Sequence, residues 1–316
     1  MPPEVLASLA EQSYTCVEGD TQVHAIDTVA SVATDWQFSV ETACPGMTIT
    51  PTSEITGQTA LQIFRADATA VGASFSEVPF ALDAVVLVVS LTDINNVNLS
   101  ADAIGKIWSG EITRWNDEVL AMLNPNFELP DIPISFGVDS DVGDTKSFLD
   151  WMKRLSGRDI SVEGGSGSFD EFIEGSLVLT KYSKASEQFA TMVGIVTEAG
   201  GEGVIPSMES ALTAATMFKT KTDSGKVVLT FDPKAKPVAP EGIAIAPIPY
   251  QAVTLITLAL VGEDTLKTRA AAKFLLRQDS QGSLGLSSVM ALPEKLRAVS
   301  LSVVSVGLPQ PTLAPQ

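Results

Sequence analysis

Three segments dominate the alternation of apolar and polar positions. Ala84 to Ser90 (AVVLVVS) is an unbroken apolar run, which predicts a strand covered on both faces. Ile243 to Val261 (IAIAPIPYQAVTLITLALV) runs 19 residues without a charge, close to the length of a membrane span. Pro247 and Pro249 break any helix there, and Tyr250 and Gln251 interrupt the apolar run. Val253, Thr254, Ile256 and Thr257 are β-branched, so the segment reads as an extended lead-in and a buried strand at about Val253 to Val261. Phe148, Leu149, Met152 and Leu155 form a stripe at helical spacing, which predicts a core-facing helix.

Further strands are expected at Met47 to Thr52, Ala70 to Ala73 and Ile134 to Val138. Helices are expected at Val29 to Ala43, Thr56 to Arg65, Ala101 to Trp108, Thr145 to Leu155, Ser186 to Ala199, Met208 to Met217 and Asp264 to Arg277. Ser100 stands where it can cap the helix after it. Strands alternating with helices make the fold class α/β. Gly164 to Ser168 (GGSGS) reads as a flexible loop without the Gly-Lys-Ser/Thr ending of a phosphate loop. Gly307 to Gln316 holds three prolines and no charge, so it reads as a linker that would lead to an anchor or another domain.

Charge narrows the function classes. The 316 residues carry 20 Lys plus Arg against 38 Asp plus Glu, a net charge of -18. Such a chain is a poor partner for nucleic acid or an anionic membrane surface. Before Lys106 there are 13 acidic residues and one basic residue, Arg65, so this stretch is net -12. The single histidine, His24, excludes multi-histidine metal sites, and no nucleophile elbow, zinc motif or nucleotide loop is present. No enzyme activity and no cofactor are therefore expected. Cys16 and Cys44 fit no zinc spacing; they are either buried thiols or a disulfide pinning the N-terminal arm to the first helix, the latter implying an oxidising compartment.

Leu99 to Pro133 carries five pieces in order: Leu99-Ser100, Ile107-Trp108-Ser109-Gly110-Glu111-Ile112, Trp115-Asn116-Asp117, Leu123-Asn124-Pro125 and Leu129-Pro130. This stretch resembles the phosphate-binding proteins of bacterial phosphate ABC transporters. Asp35-Trp36, Pro45 to Ile49, Gly72-Ala73-Ser74 and Leu286 to Pro293 resemble other segments of that family. The resemblance implies a two-lobed, type II periplasmic-binding-protein-like fold, with mixed sheets flanked by helices and a ligand cleft between the lobes. It implies an arm at 1–21, lobe one at 22–92 plus 239–300, lobe two at 93–238 and a Pro-rich linker at 301–316. It also implies an extracytoplasmic protein with a small solute as partner, expected to be a monomer; the alternative, for a cleft that holds no small ligand, is an interaction or sensing module with an envelope protein as partner.

The family holds dehydrated phosphate with helix N-termini, hydroxyls, one Arg and one Asp, and helix N-termini suit an anion because their N–H groups are unpaired. Carried over residue by residue, the first loop aligns with Asp27 and Thr28, and the serine loop with Ser53 to Gly57, where Thr56 keeps a hydroxyl. Ser74 is kept, but the selecting Asp becomes Phe75. The Arg-containing loop becomes Val138 to Thr145: Val138 replaces the Arg, Val142 the ligand serine and Asp144 a ligand threonine, while Ser140, Asp141, Gly143 and Thr145 complete the loop. A like-charge pair at 4 Å costs roughly 4 kcal/mol at an effective dielectric of about 20. Several carboxylates and no Arg thus predict weak or absent phosphate binding. Asp139, Asp141 and Asp144 are oxygen-rich enough for a weak cation site, although their order does not match an EF-hand. They could equally be helix caps and solvated loop charges.

Overall fold

The computed structural model describes residues 14–140, 142–161, 169, 173–198 and 200–309. The strands are β1 (Gly19–Ala25), β2 (Met47–Thr52), β3 (Thr59–Arg65), β4 (Ser74–Val89), β5 (Asn98–Ser100), β6 (Ser135–Val138), β7 (Ser176–Lys181), β8 (Thr191–Met192), β9 (Gly194–Val196), β10 (Gly203–Val204), β11 (Phe218–Asp223), β12 (Lys226–Phe231), β13 (Val253–Val261) and β14 (Met290–Ala291). The α-helices are α1 (Asp27–Ala43), α2 (Ala101–Trp108), α3 (Glu118–Leu123), α4 (Lys146–Ser156), α5 (Tyr182–Glu187), α6 (Met208–Ala215), α7 (Leu266–Leu275), α8 (Gln278–Gly282) and α9 (Glu294–Val304). None of the described helices is long and apolar enough to cross a membrane. The uncharged segment ends as foreseen, in a strand over Val253–Val261.

The chain divides into two compact units. Unit 1 holds the described residues up to Leu82, Thr216–Lys236 and those from Leu255 onward; unit 2 holds Asp83–Ala215 and Pro237–Thr254. In unit 1 the sheet runs β11-β12-β4-β13-β3-β1-β2. β1 is parallel to β2 and β3, and β13 is antiparallel to β3. Helix α1 buries Val29, Val32, Ala33, Trp36 and Val40. The Trp36 ring meets Phe80 edge-on at 5.6 Å, and its N–H donates to the Ser280 carbonyl at 3.0 Å. The 218–231 hairpin clusters with this unit, and Lys226 pairs with Glu77 of β4. The packed chain continues through α9 to Leu308, which is buried.

Cys16 and Cys44 form a disulfide. It ties the segment before β1 to the C-terminal end of α1. Other contacts hold the same segment: Lys273 Nζ donates to Thr15 Oγ1 at 2.7 Å, and the Arg277 guanidinium lies 4.0 Å from the Tyr14 ring centroid. Replacing both cysteines with serine is expected to lower stability by about 2–4 kcal/mol. Urea denaturation checks this; a loss below about 1 kcal/mol would mean that the other contacts suffice.

In unit 2, β6 is parallel to β7, while β7 and β8 are each antiparallel to the second half of β4. A small separate sheet runs β10-β9-β5. Ser100 caps α2 as expected, accepting from the Ala103 N–H at 3.1 Å. The α4 stripe buries Phe148 and Met152, joined by Trp151, while Leu149 and Leu155 are half-buried.

Three expected elements are corrected. The helix over Thr56 to Arg65 is strand β3, because ladders to β1 on one side and β13 on the other satisfy its backbone. The helix from Ser186 is replaced by the short α5 and strands β8 and β9. Phe189 adopts φ 52°, which ends the helix, and the N–H groups of Val193 and Gly194 go to the carbonyls of Leu87 and Val97. The proposed strand Ala70 to Ala73 is not one; the Gln62 side chain takes both the N–H and the carbonyl of Val71. The loop expected at Gly164 to Ser168 lies outside the described residues, as do Asp141 and 310–316.

Candidate functional site

Within unit 2 the loop that the resemblance aligns with the family's arginine loop leaves the C-terminal end of β6 and enters α4, the strand–loop–helix order that suits an anion. Asp139 is the first residue after β6. Its backbone N–H continues the ladder to Leu179, and its side chain turns inward, 1% exposed. The carboxylate accepts from the Thr180 hydroxyl at 2.6 Å and from Lys184 Nζ, 3.0 Å from Oδ2 and 3.2 Å from Oδ1. Ser140 is exposed, Val142 buried, and Gly143 takes φ 72°, in the left-handed region open to glycine. Thr145 occupies the cap position of α4 without capping it by its side chain. Asp144, one residue earlier, accepts from the Lys146 N–H at 2.8 Å. Thus one first-turn N–H of α4 and the half-buried ammonium of Lys184 are both bound by the chain's own carboxylates.

A third carboxylate works in the same way at the end of β7. Asp83 of β4 is buried, level with the start of α5 by the Val85↔Lys181 register. Its Oδ1 accepts from the N–H groups of Ala84 at 2.8 Å and Ser183 at 3.1 Å; its Oδ2 accepts from the Ser183 hydroxyl at 2.6 Å. Burial pushes its carboxyl above the ordinary carboxylate value, partly offset by the bonds from Ser183 and Ala84 and by the Lys181 charge. Sequence reasoning did not single out Asp83, Thr180 or Lys184. Asp83 had a visible signal: a lone charge inside the apolar stretch Phe80 to Val89 must find buried partners.

Within unit 1 the structure separates residues that the resemblance groups together. Asp27 opens α1 at the C-terminal end of β1, exposed and making no side-chain cap, with Thr28 beside it half-buried. The Ile26 N–H bonds to Ile63, which puts Asp27 level with the end of β3. Thr56 lies at the other end, against Thr59, whose hydroxyl accepts from the Thr56 N–H at 2.9 Å. Ser74 and Phe75 are also there, since Gly262 bonds to Ala73 while Leu260 pairs with Leu61. Asp27 and Ser74 therefore lie roughly 15–20 Å apart along the strands, at about 3.3 Å per residue. With Thr59–Arg65 in a strand, no helix N-terminus follows the Ser53 to Gly57 loop.

Ser74 and Phe75 have local roles. The Ser74 hydroxyl donates to Glu77, which also accepts from Lys226 at 2.7 Å. Burial raises the Glu77 carboxyl, but the bonds from Lys226 and Ser74 outweigh it and hold the group below its ordinary value. The Phe75 ring lies 5.2 Å from the Arg269 guanidinium, which is itself held by Asp264. A cavity of about 550 Å³ in unit 1 is lined by Thr56, Thr59, Gly72, Ala73, Thr265 and Lys267, but Lys267 donates to the Asp20 carbonyl. His24, half-buried, has Nδ1 3.1 Å from the Thr52 carbonyl. Among the described residues no three His, Cys, Asp or Glu side chains cluster as metal ligands. Asp139, a weak candidate, instead faces a lysine.

Residues 10–251 match the family model of a PBP superfamily domain. The phosphate-binding protein PstS 3 of Mycobacterium tuberculosis is 27% identical over 254 residues, 67% of this chain and 67% of that protein. The phosphate-binding protein PstS of Xylella fastidiosa is 29% identical over 163 residues, 45% of this chain and 44% of that one. Among solved structures, a DING protein aligns with a TM-score of 0.55 at 12% identity, over 90% of this chain and 94% of its own. A human phosphate-binding apolipoprotein gives 0.55 at 11% identity, with the same 90% and 94%. At these identities the structural likeness establishes the fold alone: α/β, of the two-lobed class anticipated from the sequence.

Proposed function

We propose, from the premise that this chain belongs to the PBP superfamily, that it is an extracytoplasmic solute-binding-type protein whose anion site has been given up, so that it binds phosphate weakly or not at all. The superfamily is one of binding proteins rather than of enzymes, and the named relatives are phosphate-binding proteins. One observation carries the reading: the buried Asp139 carboxylate already neutralises Lys184, and Asp144 already accepts an α4 N–H. An arriving phosphate would meet two carboxylates where it needs donors, with Val138 in place of an arginine. The departures at Asp27, Phe75 and Val142 support the same reading, as does the strand that replaces the helix after Thr56. The disulfide supports a location outside the cytoplasm.

Titration calorimetry with inorganic phosphate tests the proposal. No heat of binding is expected at micromolar concentrations; a sub-micromolar dissociation constant would sink it. A second reading, an interaction or sensing module tethered to the cell envelope, draws on Val238, Ile245 and Ile248, exposed by 60%, 83% and 60% in the proline-rich stretch before β13. A panel of anions, cations, sugars and amino acids separates the two readings, because a solute receptor melts higher with its ligand and an interaction module with none.

A further inference from the structure

We propose that the β11–β12 hairpin of unit 1 is a docking edge for an acidic, extended polypeptide segment, which adds to β11 as a further strand. This is independent of whether the chain takes phosphate. Lys219 to Lys236 holds five lysines and two aspartates, net +3, while the rest of the chain carries 15 basic and 36 acidic residues, net -21. The register sets Lys219 against Thr230, Lys221 against Val228 and Asp223 against Lys226. These six side chains therefore share one face of the hairpin, and all six are exposed. Val228, 52% exposed, is an apolar contact among the lysines. On the opposite face Val227 is buried, and the rings of Phe218 and Phe231 meet edge-on at 5.4 Å.

Strand β11 stands at the edge of its sheet, with β12 on one side and no strand on the other among the described residues. Such an edge offers a row of backbone N–H and C=O groups to an incoming segment. Lysines keep two copies of this edge from pairing, because like charges would stand opposite each other. The same lysines favour a segment of opposite sign. Lys219 pairs with Asp232 at 2.8 Å and Lys226 with Glu77 at 2.7 Å, whereas Lys221 and Lys236 make no ion pair among the described residues. Exposed lysines exchange one carboxylate for another at small cost, so the existing pairs do not close the face.

The test titrates the full chain into a short labelled peptide of alternating Glu and Val, followed by fluorescence anisotropy at low salt. Saturable binding is expected, and it should weaken as salt rises, because the charges lie at the surface. A Lys–Val peptide should not bind. Nor should the Glu–Val peptide with proline in place of its central Val, which keeps the charge but interrupts the ladder. Lys221→Glu should leave the melting temperature unchanged and weaken binding roughly tenfold. Arg158→Glu, the same charge change at an exposed position of unit 2, should leave binding unaltered. No binding of the Glu–Val peptide would overturn the proposal. Equal binding of the proline peptide, or equal losses in the two variants, would also do so, since charge alone would then suffice. Binding to phosphatidylglycerol vesicles without binding of the peptide would give the face to a membrane, and self-association lost in Lys221→Glu would give it to a second copy; either result overturns the proposal.

Discussion

Asp83→Ala is expected to destabilise unit 2 by about 3–5 kcal/mol, whereas Asp83→Asn should stay within about 1 kcal/mol of the unaltered chain. The alanine leaves two buried N–H groups, of Ala84 and Ser183, and the Ser183 hydroxyl without their acceptor. Each such group costs about 1–3 kcal/mol when orphaned. Asparagine keeps the acceptor for both N–H groups and can donate its amide to the Ser183 oxygen, so it conserves the geometry without the charge. The charge itself is a burden here, because burial raises the folded-state carboxyl above its ordinary value of 3.8. Its contribution to stability is therefore fully present below that value and is lost as pH rises through the folded-state value. Asparagine should abolish this component. Urea denaturation followed by the fluorescence of Trp115 and Trp151, run at several pH values, measures both effects. Equal losses for Asn and Ala would show that the ionised group, and not its acceptor geometry, holds the cluster.

Trp115→Ala should cost about 4–5 kcal/mol and Trp115→Phe about 1–2 kcal/mol. The ring is fully buried, and its N–H donates to the Gly175 carbonyl at 3.0 Å. That carbonyl also accepts from the Ser135 N–H at 3.0 Å, and the Gly175 N–H bonds to Ser90. A side chain at Gly175 would meet the Pro133 carbonyl oxygen at 2.6 Å, so the backbone is held close on every side. Trp115 thus fixes the starts of β6 and β7, whose far ends carry Asp139 and Thr180 and lead into α5 with Lys184. Alanine removes both the packed ring and the bond; phenylalanine loses mainly the bond. Thermal and urea denaturation of the two variants separate these contributions. A phenylalanine variant as damaged as the alanine one would place the effect in the hydrogen bond alone.

The Trp-Asn-Asp piece that carried the family resemblance is thus seen as scaffold: Trp115 anchors a loop, and Asp117 caps α3 by accepting from Val119. Elements with self-consistent local signals were legible from the chain. Ala101–Trp108 has its own cap and stripe, and Met47–Thr52 and Val253–Val261 have β-branched or alternating residues matched to their ladders. The residue types at Phe75, Val138, Val142 and Asp144, on which the proposed weakness towards phosphate rests, were legible too, because residue type is a local fact.

What the sequence by itself determined is therefore the class of fold and the family. Tertiary structure alone decided the partners. Thr59–Arg65 became a strand because β13, almost 200 residues later, pairs along it. Asp83 found Ser183, and Asp139 found Lys184, across sequence separations of 100 and 45. A helix closes its hydrogen bonds within four residues and so announces itself locally. A strand or a buried carboxylate is satisfied only by groups that folding brings from elsewhere, and no local pattern names them.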